Sequence, residues 1–303
     1  MHCNAIFKEI NCFSLHVLSR VSPFPSCIPF PPCSRSRSEK KIRIGDNDIN
    51  YLKTGDGPHN LLCMPGAVGS IWTDFAPQIK GLDKNLFTII AWDPPGYGKS
   101  IPPYREFPLN FYEKDADLAL LLMRALEIKN FSLLGWSDGG ISSIILAAKY
   151  PEYIKKSAVI WGANSFILNT ELAGYEGLRD ITTWSKRMKD PLIALYGESY
   201  LAETMGKWAD AMKNIHHENR GDICMSRLVD IQCPTLLLYG AKDGLVDPQH
   251  ISVFIFFYYF LHVFIFRFSI RVYIPLERFS VLFHFYYIFI NHCIHNHWCD
   301  HAK

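Results

Sequence analysis

A serine between glycines is the residue of this chain best placed for covalent chemistry. Ser137 lies in the run Gly135-Trp136-Ser137-Asp138-Gly139. The apolar or small residues 131–135 predict a buried strand before it, and apolar residues at helical spacing from Ile141 to Ala148 predict a helix after it. On such a turn the hydroxyl is exposed, and the glycines let the strand and helix pass closely. The five residues alone are a weak signal, but their placement predicts a nucleophile.

A nucleophilic serine needs N–H donors for the oxyanion, a base, and an acid that orients the base. Residues 65–67, Pro-Gly-Ala, follow a predicted strand, and their glycine allows a backbone N–H to approach closely. The backbone N–H groups of Ala67 and Asp138 are therefore the candidate oxyanion donors. The alternative is that residues 65–67 form only an ordinary turn at a strand exit.

The candidate acid is Asp243. It follows the predicted strand Thr235–Tyr239, 106 residues after Ser137, and so comes to the carboxyl edge of a parallel sheet. Asp247, four residues later, is its rival. A second alternative is that Asp243 has only a structural role, in which it stabilises its glycine-containing turn.

Two further aspartates lie close to these residues in sequence. Asp138 either complements the dipole of the helix that it begins or, if partly buried, pairs with a cationic substrate group such as a protonated amine. Asp93, followed by Gly96-Tyr97-Gly98, is predicted to shape its loop rather than to react.

Alternating strands and helices must position these groups. The predicted strands are 41–45, 49–54, 61–64, 86–92, 131–135, 158–161 and 235–239, and the predicted helices include 72–81, the stretch around 118–126 and the one after Ser137. This order predicts an α/β fold with a mostly parallel, doubly wound sheet. Residues 163–229 have helical periodicity and predict a helical cap over the serine. Its aromatic residues either line a substrate pocket or pack the core; they are Tyr175, Trp184, Tyr196, Tyr200 and Trp208.

Composition narrows the class of protein. A chain of 303 residues can bury one large α/β core, and a net charge of +2 gives no basic field for nucleic acid. Residues 1–38, rich in Pro and Ser with a single acid, predict a disordered or transit-like leader outside the fold. Between residues 39 and 250 the cysteines are Cys63, Cys224 and Cys233. This distribution does not indicate a disulfide framework, and it favours a reducing compartment.

Several motifs between residues 39 and 250 carry a family resemblance. They are Trp92-Asp93-Pro94, Gly96-Tyr97-Gly98, the run from Leu133 to Gly140, Ala147-Ala148-Lys149-Tyr150-Pro151, Trp161-Gly162-Ala163-Asn164, and Lys242-Asp243 with Leu245-Val246. This segment resembles the α/β-hydrolase superfamily, and more closely the biphenyl hydrolase-like group that includes valacyclovir hydrolase. Epoxide hydrolases and haloalkane dehalogenases are disfavoured because they carry aspartate where this chain has serine.

The resemblance implies a serine hydrolase of small carboxylic esters, including α-amino-acid esters, without a metal or organic cofactor. It implies that Ser137 is the nucleophile, Asp243 the triad acid and Asp138 the anchor for a substrate ammonium. This chain has Pro95 where the group usually has arginine. The group is often mitochondrial, and the leader leaves mitochondrial and cytosolic locations both open.

Residues 251–303 depart from the family pattern, with no glycine and only two acidic residues. The resemblance implies a base histidine about 25 to 30 residues after the acid, where this chain has Arg271 and apolar neighbours. His262 and His284 lie 19 and 41 residues after Asp243, and neither is favoured as the base. His250 is predicted to be solvated on the helix after the acid.

The tail is interpreted as a non-homologous replacement of the last part of the fold. Membrane contact by residues 251–291 is a less favoured alternative, because their uncharged run is shorter than a spanning helix. A metal site in the Cys- and His-containing tract 293–301 is also not favoured. Two functions follow: an esterase that acts on small-molecule esters, or a catalytically impaired remnant that lacks the triad histidine and binds ligand or membrane without turnover.

Overall fold

An eight-stranded sheet organises the residues that the computed structural model describes, 38–240, 243–257 and 263–267. The strands are β1 (Lys40–Ile44), β2 (Asn47–Thr54), β3 (His59–Met64), β4 (Phe87–Trp92), β5 (Ser132–Trp136), β6 (Ala158–Trp161), β7 (Thr235–Tyr239) and β8 (Val263–Arg267). Their order is β1-β2-β4-β3-β5-β6-β7-β8. The first two pairings are antiparallel and the others parallel, so the predicted fold class is confirmed.

Helices flank this sheet and fill the long connection between β6 and β7. They are α1 (Ile71–Gly81), α2 (Phe111–Ala125), α3 (Asp138–Lys149), α4 (Leu172–Gly177), α5 (Lys186–Tyr196), α6 (Glu198–Glu218) and α7 (Gln249–Phe257), with short 3-10 helices at Ile181–Thr183 and Met225–Asp230. The helices α4, α5 and α6 lie within the segment 163–229 that the sequence predicts to be a helical cap.

The central strands β4 to β7 are buried on both faces, which explains their nearly continuous apolar sequences. Every residue of β4 is buried. Neighbouring residues point to opposite sides: Leu62 and Ile90 join the cluster that includes residues of α2, α3 and the cap, whereas Leu61 and Ile89 join the cluster on α1. The two-residue period of a strand thus gives the molecule two apolar layers.

Tyrosines at the junction of α5 and α6 join the cap to the loop that follows β4. The backbone N–H of Gly98 donates to the hydroxyl of Tyr196 at 2.7 Å. The hydroxyl of Tyr200 donates to the Gly96 carbonyl at 2.7 Å and accepts from the N–H of Arg105 at 3.1 Å. The helical connection is therefore hydrogen-bonded to a core loop at the carboxyl edge of the sheet.

A buried histidine–carboxylate pair makes a second connection, and it corrects the prediction that His250 is solvated. His250 lies on α7 as expected but is 0% exposed, and its Nε2 lies 2.7 Å from Oε1 of Glu171, which precedes α4. Glu171 also accepts from the backbone N–H groups of Leu168 and Asp247. Burial raises the pKa of Glu171, but these hydrogen bonds outweigh it and hold the pKa below its ordinary value.

The sheet also continues past residue 250, where the sequence suggested a boundary. Helix α7 ends at Phe257, and β8 adds to β7 in parallel register from Val263 to Arg267. Residues of the segment 251–303 therefore belong to the sheet and to a helix that precedes its last described strand. In the described ranges no helix is both long and apolar enough to span a bilayer.

We expect Glu171→Ala to lower the free energy of unfolding by about 3 kcal/mol, because it leaves a buried histidine and two backbone N–H groups without their acceptor. Urea denaturation of the full chain measures this. Glu152→Ala, at an exposed position, is the matched control and should change stability by less than about 0.5 kcal/mol. Equal stability of the two variants would contradict the role assigned to Glu171.

Candidate active site

Ser137 lies at the bend between β5 and α3, in a backbone conformation that residues other than glycine rarely adopt. Its φ is 51° and its ψ is −122°. The N–H of Ser137 donates to the Trp161 carbonyl at 3.0 Å, and its carbonyl accepts from Gly140 and Ile141 at 2.8 and 3.1 Å. These three bonds connect the bend to β6 and to the first turn of α3. The residue is partly exposed at the carboxyl ends of the strands.

The two flanking glycines are required by close packing. A Cβ on Gly135 would lie 2.5 Å from Oγ of Ser143, and one on Gly139 would lie 2.0 Å from the Met64 carbonyl oxygen. Both distances are shorter than any ordinary van der Waals contact. The glycines therefore let α3 pass directly over the ends of β3 and β5, as the sequence pattern predicted.

The loop after β3 lies against Ser137. A Cβ on Gly66 would be 3.1 Å from Cβ of Ser137, which places this loop beside the serine. The Gly66 N–H is occupied by Oδ2 of Asp74 at 2.8 Å, so it is not an oxyanion donor. For the N–H of Ala67 no acceptor is found among the described residues, and Asp138 is the first residue of α3, where helices leave N–H groups free. The two candidate donors therefore lie on segments next to Ser137, in the loop after β3 and at the start of α3.

The candidate acid follows β7 at this same edge. Oδ1 of Asp243 accepts from the N–H groups of Leu245 and Val246 at 2.9 and 3.1 Å, which closes a tight turn. Asp247, the rival, accepts from the Gln249 N–H at 2.8 Å as α7 begins. The side chain of Asp247 therefore accepts a hydrogen bond from the first residue of α7. Oδ2 of Asp243 has no hydrogen bond within the described part of the chain.

No histidine in the described ranges is hydrogen-bonded to Ser137 or Asp243. His59 opens β3 at the opposite edge of the sheet, two histidines end α6, and His250 binds Glu171. The positions His262, Arg271 and His284 lie outside the described residues. The sequence immediately after β8, which ends at the edge that holds Ser137, contains no histidine before His284.

Asp138 is nearly enclosed, with 8% of its surface exposed. The hydroxyl of Tyr112 donates to its Oδ1 at 3.0 Å, and Nε1 of Trp208 donates to its Oδ2 at 2.8 Å. Burial raises the pKa of Asp138 to about 6, against the lowering effect of these two donors and of the Arg105 guanidinium. The site therefore holds a carboxylate that is ionised at neutral pH and only weakly solvated.

Asp93 supports the loops around the site, in agreement with its predicted structural role. It is 2% exposed and accepts from the Ile71 N–H, the Asn50 side chain and the Lys99 N–H at 2.7 to 2.8 Å. Nη1 of Arg105 donates to the carbonyl of Pro95 at 3.1 Å. A guanidinium therefore contacts this loop although residue 95 is not arginine.

Sequence reasoning missed several residues that the structure brings to the site. Tyr112 and Asp74 occupy the first turns of α2 and α1, and nothing local relates them to Ser137. The sequence identifies Trp208 only as one of several aromatic residues in the predicted cap. A buried acid next to Ser137 must accept hydrogen bonds from some donor, but the sequence pattern does not identify that donor. Within the described residues no cluster of His, Cys, Asp or Glu is arranged to hold a metal ion.

The sheet order and the serine at the β5–α3 bend define a hydrolase of the α/β type. A profile of the alpha/beta hydrolase fold matches residues 60–175. Two curated relatives, both named serine hydrolase BPHL, cover most of the chain. The human protein (Homo sapiens) is 47% identical over 237 residues, 77% of this chain and 81% of its own length. The mouse protein (Mus musculus) is 46% identical over 226 residues, 75% of this chain and 77% of its own length.

Solved structures share the fold at lower identity. The 2-hydroxy-6-oxo-6-phenylhexa-2,4-dienoate hydrolase of Rhodococcus superposes with a TM-score of 0.62 and 17% identity, over 76% of this chain and 89% of that one. The chain belongs to the α/β-hydrolase family and, within it, to the biphenyl hydrolase-like group. The resemblance inferred from its motifs is confirmed.

We expect Gly139→Ala to lower the free energy of unfolding by about 1 to 3 kcal/mol or more, because the added methyl group meets a backbone oxygen that cannot move aside. The control is Gly177→Ala in α4, where a Cβ meets no atom within 4 Å. Chemical denaturation should show the control unchanged or slightly stabilised. If Gly139→Ala changed the free energy of unfolding as little as Gly177→Ala, α3 would not pack as closely against β3 as described.

Proposed function

We propose that this chain is a serine hydrolase of small carboxylic esters and that α-amino-acid esters are its preferred substrates. One observation carries the proposal: a strained, partly exposed serine is followed directly by a buried carboxylate at the same bend. The name serine hydrolase that the human and mouse relatives carry supports the reaction class.

In the proposed reaction, Oγ of Ser137 attacks the ester carbonyl carbon and its proton passes to a base. The carbonyl oxygen becomes negative and accepts hydrogen bonds from the N–H groups of Ala67 and Asp138. The alcohol leaves with the proton that the base returns. Water then attacks the acyl-serine by the same route, which releases the acid and restores the serine. Asp243 orients the base, and no step requires a cofactor.

The chemistry of Asp138 favours an amine on the acyl side. In an α-amino ester the ammonium is on the carbon next to the carbonyl. In Asp138 the backbone N–H and the carboxylate belong to one residue and are also close together. The N–H can therefore bind the oxyanion while the carboxylate binds the neighbouring ammonium. Because the carboxylate is nearly enclosed, its attraction for an ammonium is screened less than it would be at the surface.

A second function is favoured by a specific observation, since no described histidine contacts Ser137 or Asp243. In that alternative the chain keeps the ester-binding site but turns over slowly or not at all. Loss of the histidine from a triad lowers the rate by about 10⁴- to 10⁶-fold. The two functions share the same site and differ in whether a base reaches Ser137.

We expect the full chain to hydrolyse the para-nitrophenyl ester of L-valine and Ser137→Ala to lose that activity by on the order of 10⁴-fold or more. Release of para-nitrophenol measures turnover. Labelling by a fluorophosphonate probe shows separately whether Ser137 is activated. Labelling without turnover would favour the impaired alternative, and turnover that survives Ser137→Ala would contradict the nucleophile.

We expect the preference for the valine ester over the isovalerate ester, which lacks the amine, to fall as pH drops through about 6. The sign follows from the carboxylate: above this pKa Asp138 is ionised and binds the ammonium, and below it the acid is neutral. One unit below the pKa the ratio of kcat/KM values should be about tenfold smaller. The ratio cancels the pH dependence of the base, which both esters share.

The matched variant for this prediction is Asp138→Asn, which keeps the backbone N–H and removes the charge. It should show a small preference at every pH. A preference that is independent of pH in the unaltered chain would contradict the assignment of Asp138 as the ammonium anchor.

A further inference from the structure

The carboxylate of Asp138 is held at both oxygens by donors from different layers of the molecule. Tyr112 belongs to α2 of the core, and Trp208 belongs to α6 of the cap. Each donates one hydrogen bond, to Oδ1 at 3.0 Å and to Oδ2 at 2.8 Å. Both donors are neutral, so they orient the carboxylate without cancelling its charge.

Packing holds the two donors in place. Tyr112 is 2% exposed, and its hydroxyl also lies 3.7 Å from Sδ of Met212 on α6. Trp208 is 6% exposed and meets the ring of Tyr175 edge to face, with centroids 5.5 Å apart. Neither side chain can turn away without opening the core or the cap. The direction of the Asp138 carboxylate is therefore set by the packing of α2 and α6.

The charged groups that face Asp138 leave its negative charge uncompensated. Arg105 attracts it, but the same guanidinium is paired with Asp115 through contacts of 2.9 and 2.5 Å. The other titratable groups that influence the site are the buried tyrosines 97, 112 and 175, whose pKa values burial raises. The group of Arg105, Asp115 and ionised Asp138 thus carries one net negative charge beside the nucleophile.

A carboxylate has about four acceptor positions, and the described contacts use two of those on Asp138. We propose that Tyr112 and Trp208 are positioning residues for amine specificity: they hold the Asp138 carboxylate so that its remaining lone pairs receive the primary ammonium of the substrate. The proposal rests on the proposed function and deepens it, because core and cap together determine which acyl groups fit.

The direct test is the titration of Asp138 without any ligand. The Cγ chemical shift of Asp138, assigned by its loss in Asp138→Asn, is followed against pH in the full chain. Tyr112→Phe and Trp208→Phe each remove one donor to the anion, so the midpoint should rise by about one pH unit in either variant. Tyr150→Phe, which deletes a hydroxyl bonded to Asp117, should leave the midpoint unchanged. A residue that only packed the core would change stability and not this midpoint.

The second measurement is binding of L-valinamide compared with isovaleramide, which lacks the amine, by calorimetry at about pH 6.5. A one-unit rise in the midpoint lowers the ionised fraction there about threefold, so each variant should bind valinamide about threefold more weakly, with the affinity for isovaleramide unchanged. Unchanged midpoints and unchanged valinamide affinity in both variants would overturn the proposal.

The outcomes separate this proposal from the proposed function. If Asp138→Asn binds valinamide as well as the unaltered chain does, Asp138 is not the ammonium anchor. The positioning role of Tyr112 and Trp208 is then contradicted as well. If Asp138→Asn loses binding while Tyr112→Phe and Trp208→Phe do not, only the positioning role is wrong. Fluorophosphonate labelling of Ser137 is independent of all three results and continues to test the reaction class.

Discussion

The left-handed backbone of Ser137 is the constraint on which the rest of the site depends. A non-glycine residue in such a conformation costs of order 1 to 3 kcal/mol, and it persists only where its surroundings determine it fully. Here the bonds to Trp161, Gly140 and Ile141 hold the bend from two sides. The same bend ends β5 and begins α3, so Ser137 and the candidate oxyanion N–H of Asp138 are adjacent in one short segment.

Parallel strand order extends this local geometry to the whole edge of the sheet. Because β3, β5, β6 and β7 run in the same direction, the loops that follow them meet at one edge. That edge receives the loop of Ala67, the bend of Ser137 and the turn of Asp243. The helical connection between β6 and β7 is anchored to it through the tyrosines that contact the loop after β4.

Buried carboxylates join the layers of this molecule. Asp93 ties three core segments together, Glu171 joins the start of α4 to α7, and Asp138 joins α2 to α6. An enclosed carboxylate is stable only when donors satisfy it, so each one specifies which elements must pack around it. For Asp138 the same requirement places a buried carboxylate, held by two donors, directly after Ser137.

Local features could be predicted from the order of the amino acids: the strands Ala158–Trp161 and Thr235–Tyr239, the glycines of the bend, and the order of serine and acid. The prediction that His250 is solvated and the predicted fold boundary at residue 250 were wrong. The partners of Asp138, which lie 26 and 70 residues away, and the pairing of His250 with Glu171, 79 residues away, emerged only from the packed fold. Periodicity and turn residues report contacts between neighbours along the chain, whereas these pairs exist because separate layers pack against each other.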